Sequence, residues 1–396
     1  MNIKGIVVGL MDKKTKIEIL KTILAIESIN NNEALVADYI ASLFSEYPVT
    51  VEKVTYAHNR DNLVITIGSS GPILGFSGHM DVVAPGNLTD WVTPPFEPTI
   101  IDNRMFGRGA ADMKGGLAAL VVALLELLEK NIKLKGRVRL LATVGEETGE
   151  YGAAQLTKLG YADNLAGLVI AEPTDNMQRI VYTSRGVIDY KVISKGKSAH
   201  SARPQYGINA IDNLLAFYEL AKKRLSAFTE TDTILGGITH NITVINGGEQ
   251  INSIPSSAEL MGNIRTIPQY PNQIFFEALE KIIVELNEKK DFDLSISYSF
   301  PEEAIPGEPD SNIIQIAQKV HQQYWKIPVK VTGSLGANDG AEFLQAKGDF
   351  ASIVLGPGSH TSHQSNEYIE LDTYLKAIKF YQNFAVTFLN EQSQVI

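Results

Sequence analysis

Short apolar runs alternate with amphipathic helical segments along two stretches of this chain, and this alternation restricts the fold more than any other feature. Apolar runs bounded by turn residues predict strands at Leu63–Ile67, Ile73–Ser77, Val138–Val144, Leu168–Ala171, Val329–Thr332 and Ala351–Leu355. Segments with a helical pattern are Lys14–Ser28, Asn32–Tyr47, Gly115–Lys130, Ser311–Trp325, Ala341–Lys347 and Thr373–Leu389. Strands that alternate with helices predict an α/β fold, with helices on both faces of a mixed sheet.

The pattern changes between these two stretches. Strands are predicted at Ile180–Thr183, Val187–Ser194, Ile242–Ile245, Ala258–Ile267 and Leu294–Phe300, and helices at Gly207–Phe228 and Asn272–Lys289. The order ββαββαβ predicts a small antiparallel sheet covered by two helices, a ferredoxin-like α+β domain. We therefore predict a discontinuous α/β domain, residues 1–180 and 300–396, with a domain inserted at residues 181–299.

Charge and cysteine content exclude several classes of function. Lys and Arg total 35 against 45 Asp and Glu, a net charge of −10. Without a basic stripe, such a chain is not expected to bind nucleic acid. Cysteine is absent, which excludes disulfides, thiolate ligands and a cysteine nucleophile. Any bound metal must be held by carboxylates and by some of the seven histidines.

The apolar segments are too short for a membrane span, which needs roughly 18 residues, so we expect no membrane partner. Near the start of the chain, the apolar run Gly5–Leu10 is shorter than a signal-peptide core and lacks a small-residue cleavage site after it. An extension upstream of a natural start at Met11 explains this segment equally well. We expect a cytoplasmic protein.

Four clusters of histidines and acids follow predicted strands, where open α/β sheets place their ligands. The first contains His79 and Asp81, after the strand Ile73–Ser77. Side chains two residues apart in an extended chain point the same way. A carboxylate in that position can fix the tautomer of a metal-ligating histidine, although a turn with a solvated aspartate is the alternative.

The second and third clusters are rich in glycine. GRGAADMKGG, residues 107–116, places Asp112 just before a helix; it is either an N-cap or part of a constrained functional loop. GEETGE, residues 145–150, places Glu146 and Glu147 after an apolar strand of central character. Adjacent carboxylates point in different directions, so one can ligate a metal while the other handles a water proton. A solvated acidic loop is the alternative.

Glu172 repeats the pattern of an acid after a strand, in the segment IAEPT. The fourth cluster is a Gly/Pro-rich loop, residues 356–367, with two histidines, of which His363 is the candidate ligand and surface exposure of both is the alternative. Together the clusters offer two imidazoles and three carboxylates, from His79, Asp112, Glu147, Glu172 and His363. Such a set suits two zinc-like ions that share one carboxylate.

From about Lys14 to Leu389 the chain resembles the M20 family of zinc amidohydrolases, through GHMDVV, GRGAADMKGG, GEETGE, AEPT, SAHSARP, NSIPSSAELMGNIR and SHQSNEY. The resemblance implies a two-zinc, exopeptidase-like catalytic domain with an inserted dimerisation lid, and Co²⁺ or Mn²⁺ as substitutes for Zn²⁺. It also implies a role for each residue: His79 and Glu172 hold one zinc, Glu147 and His363 hold the other, Asp112 bridges both, Asp81 supports His79, and Glu146 is the general base. It further implies a cis peptide bond between Asp112 and Met113.

The same resemblance implies substrate-binding residues in or near the inserted domain. His200 matches a histidine that points at the substrate carbonyl of the neighbouring subunit, which implies a homodimer through this domain. Asn252 and Arg265 match positions that hold a substrate carboxylate, and Arg185 and Gly336 are further candidates for substrate binding. On the residues alone, a surface histidine at position 200 and a solvated strand charge at position 265 remain open.

The resemblance implies hydrolysis of the amide bond of a small N-acyl amino acid, and the expected substrate is N-succinyl-LL-2,6-diaminopimelate. Acetylornithine and dipeptides are alternatives. Ser184 and Val187 depart from the Arg-Arg-Gly-Ser segment of many desuccinylases, and His363 followed by Gln364 is similar to deacetylases. A binding homologue without catalysis is a further alternative. A missing ligand or base would favour it, and neither is missing.

Overall fold

The computed structural model describes residues 11–394. The interpretation of the run Gly5–Leu10 therefore lies outside the described residues. Within residues 11–394, no helix is both long and apolar enough to span a membrane. The α-helices of this range are α1 (Lys13–Ala25), α2 (Ala34–Leu43), α3 (Lys114–Glu129), α4 (Tyr151–Lys158), α5 (Ala210–Leu225), α6 (Asn272–Asn287), α7 (Asn312–Trp325), α8 (Gly340–Phe343) and α9 (Leu371–Gln392).

The strands form one large sheet and several smaller ones. They are β1 (Thr50–Ala57), β2 (Arg60–Ile67), β3 (Ile73–His79), β4 (Thr99–Ile101), β5 (Arg104–Phe106), β6 (Arg137–Thr143), β7 (Leu165–Pro173), β8 (Arg179–Ser184), β9 (Val187–Lys195), β10 (Ala199–His200), β11 (Thr231–Asp232), β12 (Gly236–Gly237), β13 (Thr239–Gly247), β14 (Ser253–Ile254), β15 (Ser257–Arg265), β16 (Leu294–Glu302), β17 (Lys330–Ser334), β18 (Ser352–Gly356) and β19 (Tyr368–Glu370).

The chain divides into two compact units. The first unit comprises the described residues of Met1–Thr183 and Asn338–Ile396, together with Gly307–Thr332. The second unit comprises Ser184–Pro306 and also Gly333–Ala337, a segment that the sequence analysis assigns to the discontinuous α/β domain. Within this segment, the Ser334 carbonyl accepts a hydrogen bond from the N–H of Arg185 in the second unit, at 3.1 Å.

The first unit is built around an eight-stranded mixed sheet with the order β1-β2-β6-β3-β7-β18-β8-β17. β3 runs parallel to β6 and β7, and β18 runs parallel to β7, whereas β1 and β2 are antiparallel. Helix α3 is apolar around most of its circumference and is buried from Lys114 to Leu127. A helix of this kind belongs in the interior, and α3 packs against α1, α9 and β3.

The parallel strands bring three of the four predicted clusters, together with Glu172, to one edge of this sheet. His79 is the last residue of β3, Glu172 lies near the end of β7, and the loop with Glu146 follows β6. The loop that carries His363 follows β18. Because parallel strands end at the same edge, residues that are far apart in sequence meet there.

The sequence assigns the strand Ile180–Thr183 to the small sheet, and this assignment is wrong. The corresponding strand, β8, lies in the large sheet, where Val181 pairs antiparallel with Val354 of β18. Ile180 and Val181 are both buried, in different apolar clusters. Successive strand residues face opposite sides, so β8 is covered on both faces, as an inner strand of the large sheet should be.

The second unit contains an antiparallel sheet with the order β13-β15-β9-β16. Helices α5 and α6 pack against this sheet, with Phe217 and Phe275 in the shared core. β13 is an edge strand, and most of its residues are exposed. An edge strand offers backbone hydrogen-bonding groups to another chain.

Candidate metal centre

The five side chains predicted as metal ligands lie close together in the first unit. Nε2 of His79 lies 3.1 Å from Oδ1 of Asp112 and 3.3 Å from Oε1 of Glu172. Nε2 of His363 lies 2.9 Å from Oε2 of Glu147 and 3.6 Å from Oδ2 of Asp112. The two oxygens of Asp112 thus face different imidazoles, which is the arrangement expected of a carboxylate shared by two ions.

Glu146 belongs to the same cluster. Its Oε2 lies 3.9 Å from Nε2 of His79. His79, Glu146 and Glu172 form one group whose donor atoms all lie within 4.8 Å of one another, and His79, Asp112 and Glu147 form another. The predicted base therefore lies beside the predicted ligands, close enough for its carboxylate to reach a molecule bound among them.

Burial and crowding change the protonation of these groups. Burial, followed by the charge of Asp112, raises the pKa of Glu172 to about 8. Burial also raises the pKa of Glu146 well above its ordinary value, and the neighbouring carboxylates add to this although His79 opposes it. Burial alone would lower the pKa of His79, but the surrounding carboxylates, Glu172 first, raise it well above its ordinary value. The cluster concentrates negative charge that a bound cation would stabilise.

Asp81 is fully buried and holds the acidic loop. Its Oδ1 accepts hydrogen bonds from the backbone N–H groups of Gly145 and Glu146, at 2.9 and 3.2 Å, and its Oδ2 accepts one from Glu147 at 3.2 Å. Nδ1 of His79 lies 2.9 Å from the backbone carbonyl oxygen of Asp81 and 3.6 Å from its carboxylate. The main chain of Asp81 therefore offers His79 its nearest acceptor, while the side chain fixes the loop.

The segment before α3 folds around the carboxylate of Glu367, which is fully buried. The donors are the backbone N–H groups of Gly109, Ala111 and Asp112, at 3.0, 2.8 and 2.9 Å, and Nη1 of Arg108 at 2.6 Å. The Asp112–Met113 peptide bond is cis, as the resemblance implies. The position of Asp112 thus depends on a residue from the loop that also carries His363.

Sequence reasoning missed three buried polar residues around the centre: Arg108, Asp339 and Glu367. Oδ2 of Asp339 accepts a hydrogen bond from the Thr143 hydroxyl at 2.6 Å, and its charge contributes to the raised pKa of Glu146. Arg108 and Glu367 lie within GRGAADMKGG and SHQSNEY, so both could have been noted as charged residues of motifs that the chain shares with the family. Asp339 stands in GANDG, a glycine-flanked acid like that of GEETGE.

The predicted substrate-binding residues all belong to the second unit. His200 pairs with Ser253 between β10 and β14, and the Asn252 carbonyl accepts the Ser201 N–H at 3.0 Å, so His200 and Asn252 are neighbours. Arg265 ends β15, in register with residues 187 and 239. The guanidinium of Arg185 donates to the carbonyl of residue 235, and Gly336 lies in an exposed turn.

Comparison with known proteins identifies the family. Residues 75–387 match the model for peptidase family M20/M25/M40. A probable succinyl-diaminopimelate desuccinylase of Staphylococcus aureus (strain MRSA252) is 37% identical over 407 residues, covering 96% of this chain and 99% of the relative. The chain therefore belongs to the M20/M25/M40 peptidase family and is an M20 metallohydrolase.

Solved structures share the fold. An M20 family metallo-carboxypeptidase of Sulfolobus solfataricus superposes with a TM-score of 0.78 at 20% identity, covering 96% of this chain and all of that chain (100%). A Bacillus subtilis protein described as a dinuclear metal binding peptidase from the M20 family gives a TM-score of 0.70 at 16% identity, covering 96% and 98%. The α/β architecture with its mixed sheet is thus the M20 peptidase fold.

Proposed function

We propose that the protein is a metal-dependent amidohydrolase that cleaves N-succinyl-LL-2,6-diaminopimelate into succinate and LL-diaminopimelate. The observation that carries the proposal is the cluster of two imidazoles and three carboxylates with Glu146 beside it. The relative from Staphylococcus aureus, named a probable succinyl-diaminopimelate desuccinylase, supports the choice of substrate because it aligns over nearly the whole chain at 37% identity.

In this proposal His79 and Glu172 would hold one ion, Glu147 and His363 would hold a second, and Asp112 would serve both. Imidazole nitrogens and carboxylate oxygens without thiolates fit Zn²⁺, with Co²⁺ or Mn²⁺ as substitutes. When bound, such ions polarise the amide carbonyl and make a water molecule more acidic.

Glu146 is the proposed general base. Its carboxylate takes a proton from the attacking water and returns it to the leaving amine. The raised pKa of Glu146, which burial causes in the first place, suits a group that must both accept and release a proton. Asp81 keeps the loop of Glu146 in position through its three backbone hydrogen bonds.

Acetylornithine deacetylase is the second candidate function, ahead of a dipeptidase. It is favoured by His363–Gln364, which is similar to deacetylases, and by Ser184 and Val187, which depart from many desuccinylases. The two reactions break the same kind of bond, so the centre itself does not distinguish them. The difference must come from the residues that hold the acyl group and the amino acid, for which Arg185, Asn252 and Arg265 are candidates, with Gly336.

We further propose a cytoplasmic homodimer joined through the second unit. Its edge strand β13 carries the exposed apolar residues Val244 and Ile245, 39% and 57% accessible, and such an edge favours pairing with a second chain. His200 of one subunit would then stabilise the oxyanion formed in the other subunit's site. The acidic charge of the chain, −10, supports the absence of a nucleic-acid partner.

A panel of substrates tests the proposal. The zinc-loaded protein is assayed with succinyl-diaminopimelate, acetylornithine and several dipeptides, before and after treatment with a chelator. We expect kcat/KM for succinyl-diaminopimelate to exceed that for acetylornithine by about 10²-fold or more, and chelation to abolish both activities. A preference for acetylornithine would establish the second candidate, and no hydrolysis of any N-acyl amino acid would contradict the proposal.

A further inference from the structure

Glu367 joins the two loops that carry Asp112 and His363. It lies four positions after His363, in the loop between β18 and β19, and its side chain is fully buried. The segment from Arg108 to Asp112 folds around its carboxylate. A single side chain from one ligand-bearing loop is therefore the centre around which the other loop is built.

Both oxygens of this carboxylate are used as acceptors. Oε1 accepts the N–H groups of Ala111 and Asp112, and Oε2 accepts the N–H of Gly109 and Nη1 of Arg108. An ionised carboxylate offers acceptors on both oxygens, whereas an amide offers one acceptor and one donor group. A glutamine at position 367 would therefore direct its NH₂ group at N–H donors, so the segment cannot keep its arrangement around an amide.

The main chain strengthens this junction. The Gly107 N–H donates to the backbone carbonyl of Glu367 at 3.0 Å, and Tyr368 pairs with Phe106 between β19 and β5. Backbone pairing thus joins the two loops at Phe106–Tyr368 and Gly107–Glu367. From Arg108 to Asp112, the contacts are made by the Glu367 side chain instead.

The two proposed ion positions depend on this junction to different degrees. His79 is the last residue of β3 and Glu172 lies in β7, and these neighbouring strands pair within the large sheet. Asp112 and His363 lie outside the strands, on the loops that Glu367 joins. The ion shared by Asp112, Glu147 and His363 therefore has two of its three ligands positioned through Glu367, whereas the other ion has one.

We propose that Glu367 is a positioning residue that sets the separation of Asp112 from His363, and thereby the affinity of the centre for the ion these residues share with Glu147. This inference rests on the proposed metal-dependent function. It concerns the affinity of the folded protein for metal, which can be measured without substrate, and not the catalytic rate alone.

Stepwise titration of the metal-free protein with Zn²⁺ by calorimetry tests the inference. We expect two binding steps in the wild type. In Glu367→Gln, the step that Glu147→Ala also impairs should be weakened about 10- to 100-fold, the usual effect of removing a group that orients a ligand, and the other step should be unchanged. Glu126→Gln is the matched control. It removes another buried carboxylate, which pairs with Lys16 and Lys130 near the far end of α3, and should leave both steps as in the wild type.

The possible outcomes separate the inference from the function on which it rests. A wild type that binds no zinc contradicts the proposed function itself. Two unchanged steps in folded Glu367→Gln, or two steps weakened equally, overturn the inference while the proposed function stands. If Glu367→Gln does not fold, Glu367→Asp keeps the charge but withdraws the carboxylate by one methylene. Selective weakening of the step that Glu147→Ala also impairs then supports the inference, and its absence overturns it.

Discussion

Asp81 accepts three backbone N–H groups from the loop that carries Glu146 and Glu147. A buried donor left without its acceptor costs about 1–3 kcal/mol. We therefore expect Asp81→Ala to lower the free energy of unfolding by at least ~2 kcal/mol. We also expect kcat to fall by about 10-fold or more, because the loop is no longer held. Urea unfolding of the metal-free protein and steady-state kinetics measure the two effects.

Two variants make this prediction specific. Asp81→Asn keeps one acceptor oxygen and should give an intermediate loss of stability. Asp38→Ala removes an exposed carboxylate that pairs with Lys53 on the surface, and such pairs contribute little. Equal stability of the Asp81→Ala and Asp38→Ala variants would show that the loop does not depend on Asp81.

The neighbouring acids Glu146 and Glu147 have different expected roles although both lie near His79. Glu146→Ala should leave the metal content nearly intact and reduce kcat by at least ~10²-fold, because the proton acceptor is lost. Glu147→Ala should lower the occupancy of one ion, because Glu147 contacts His363 at 2.9 Å. Metal analysis and kinetics on both variants show which of the two residues acts as the base and which holds an ion. Loss of an ion in Glu146→Ala with both ions kept in Glu147→Ala would mean that the roles are reversed.

At the residue scale, the sequence predicted the acids and histidines that follow strands, because a charged group after a buried strand has few structural explanations. His79 and Glu172 were found in this way, whereas Asp112 was found as an acid in a glycine-rich segment before a helix; the structure brings the three together. Glu367 lies within SHQSNEY, but its role was not found, because its partners, three backbone N–H groups and the Arg108 guanidinium, belong to a segment 255 or more positions away. No local pattern of residue types shows a contact over that distance.

At the scale of elements, apolar runs predicted buried helices and strands, whereas two elements of mixed polarity were not predicted. Helix α3 and strand β3 are almost wholly buried, so burial left a clear apolar signal. The sequence analysis did not predict β1 or α4. β1 is a largely exposed edge strand of mixed polarity, and α4 is a short helix of eight residues directly after the acidic loop. Neither element contains a continuous apolar run that would predict it.

Helix α7 contains a buried histidine that should make stability depend on pH. His321 donates from Nε2 to the Met177 carbonyl oxygen at 2.8 Å and stacks on Trp325. Burial lowers the pKa of His321 below the value of about 6.5 expected in the unfolded chain. As the pH falls below about 6.5, the unfolded chain takes up a proton that the folded protein does not, so the free energy of unfolding decreases until the folded pKa is reached.

Urea unfolding at about pH 7.5 and about pH 5.5 tests this on the wild type and on His321→Gln. Glutamine can still donate to the Met177 carbonyl but cannot ionise, so the acid-induced loss should be smaller by up to ~1.4 kcal/mol per pH unit. His58→Gln, at an exposed position, should behave as the wild type. An identical loss in all three proteins would show that His321 does not contribute.

At the scale of the whole molecule, the change in sequence pattern between the two α/β stretches indicated a separate antiparallel sheet with two helices. The large mixed sheet and the small antiparallel sheet with its two helices follow the predicted order of elements, apart from β8. The segment Gly333–Ala337, which joins the second unit, could not be predicted. It contacts the second unit through a hydrogen bond from Arg185, nearly 150 positions earlier, and no local pattern of residue types shows a contact over that distance.

In the predicted homodimer, a mixed dimer of two variants tests whether His200 acts in the site of the other subunit. His200→Ala should reduce kcat by ~10²–10³-fold through loss of an oxyanion donor, with the metal content unchanged. If His200 acts in the partner's site, a heterodimer of His200→Ala with Glu146→Ala has one site with both defects and one with neither. Mixing the two variants under subunit exchange should then restore about half of the wild-type activity per heterodimer. Verified exchange without restored activity would show that His200 does not act across subunits.

Anomalous X-ray diffraction from zinc-loaded crystals would locate the metal ions proposed around Asp112. We expect two zinc peaks ~3.5 Å apart, one beside His79 and Glu172 and the other beside Glu147 and His363, with an oxygen of Asp112 towards each. Fully loaded crystals with a single peak, or with zinc bound away from Asp112, would contradict the proposed two-metal centre.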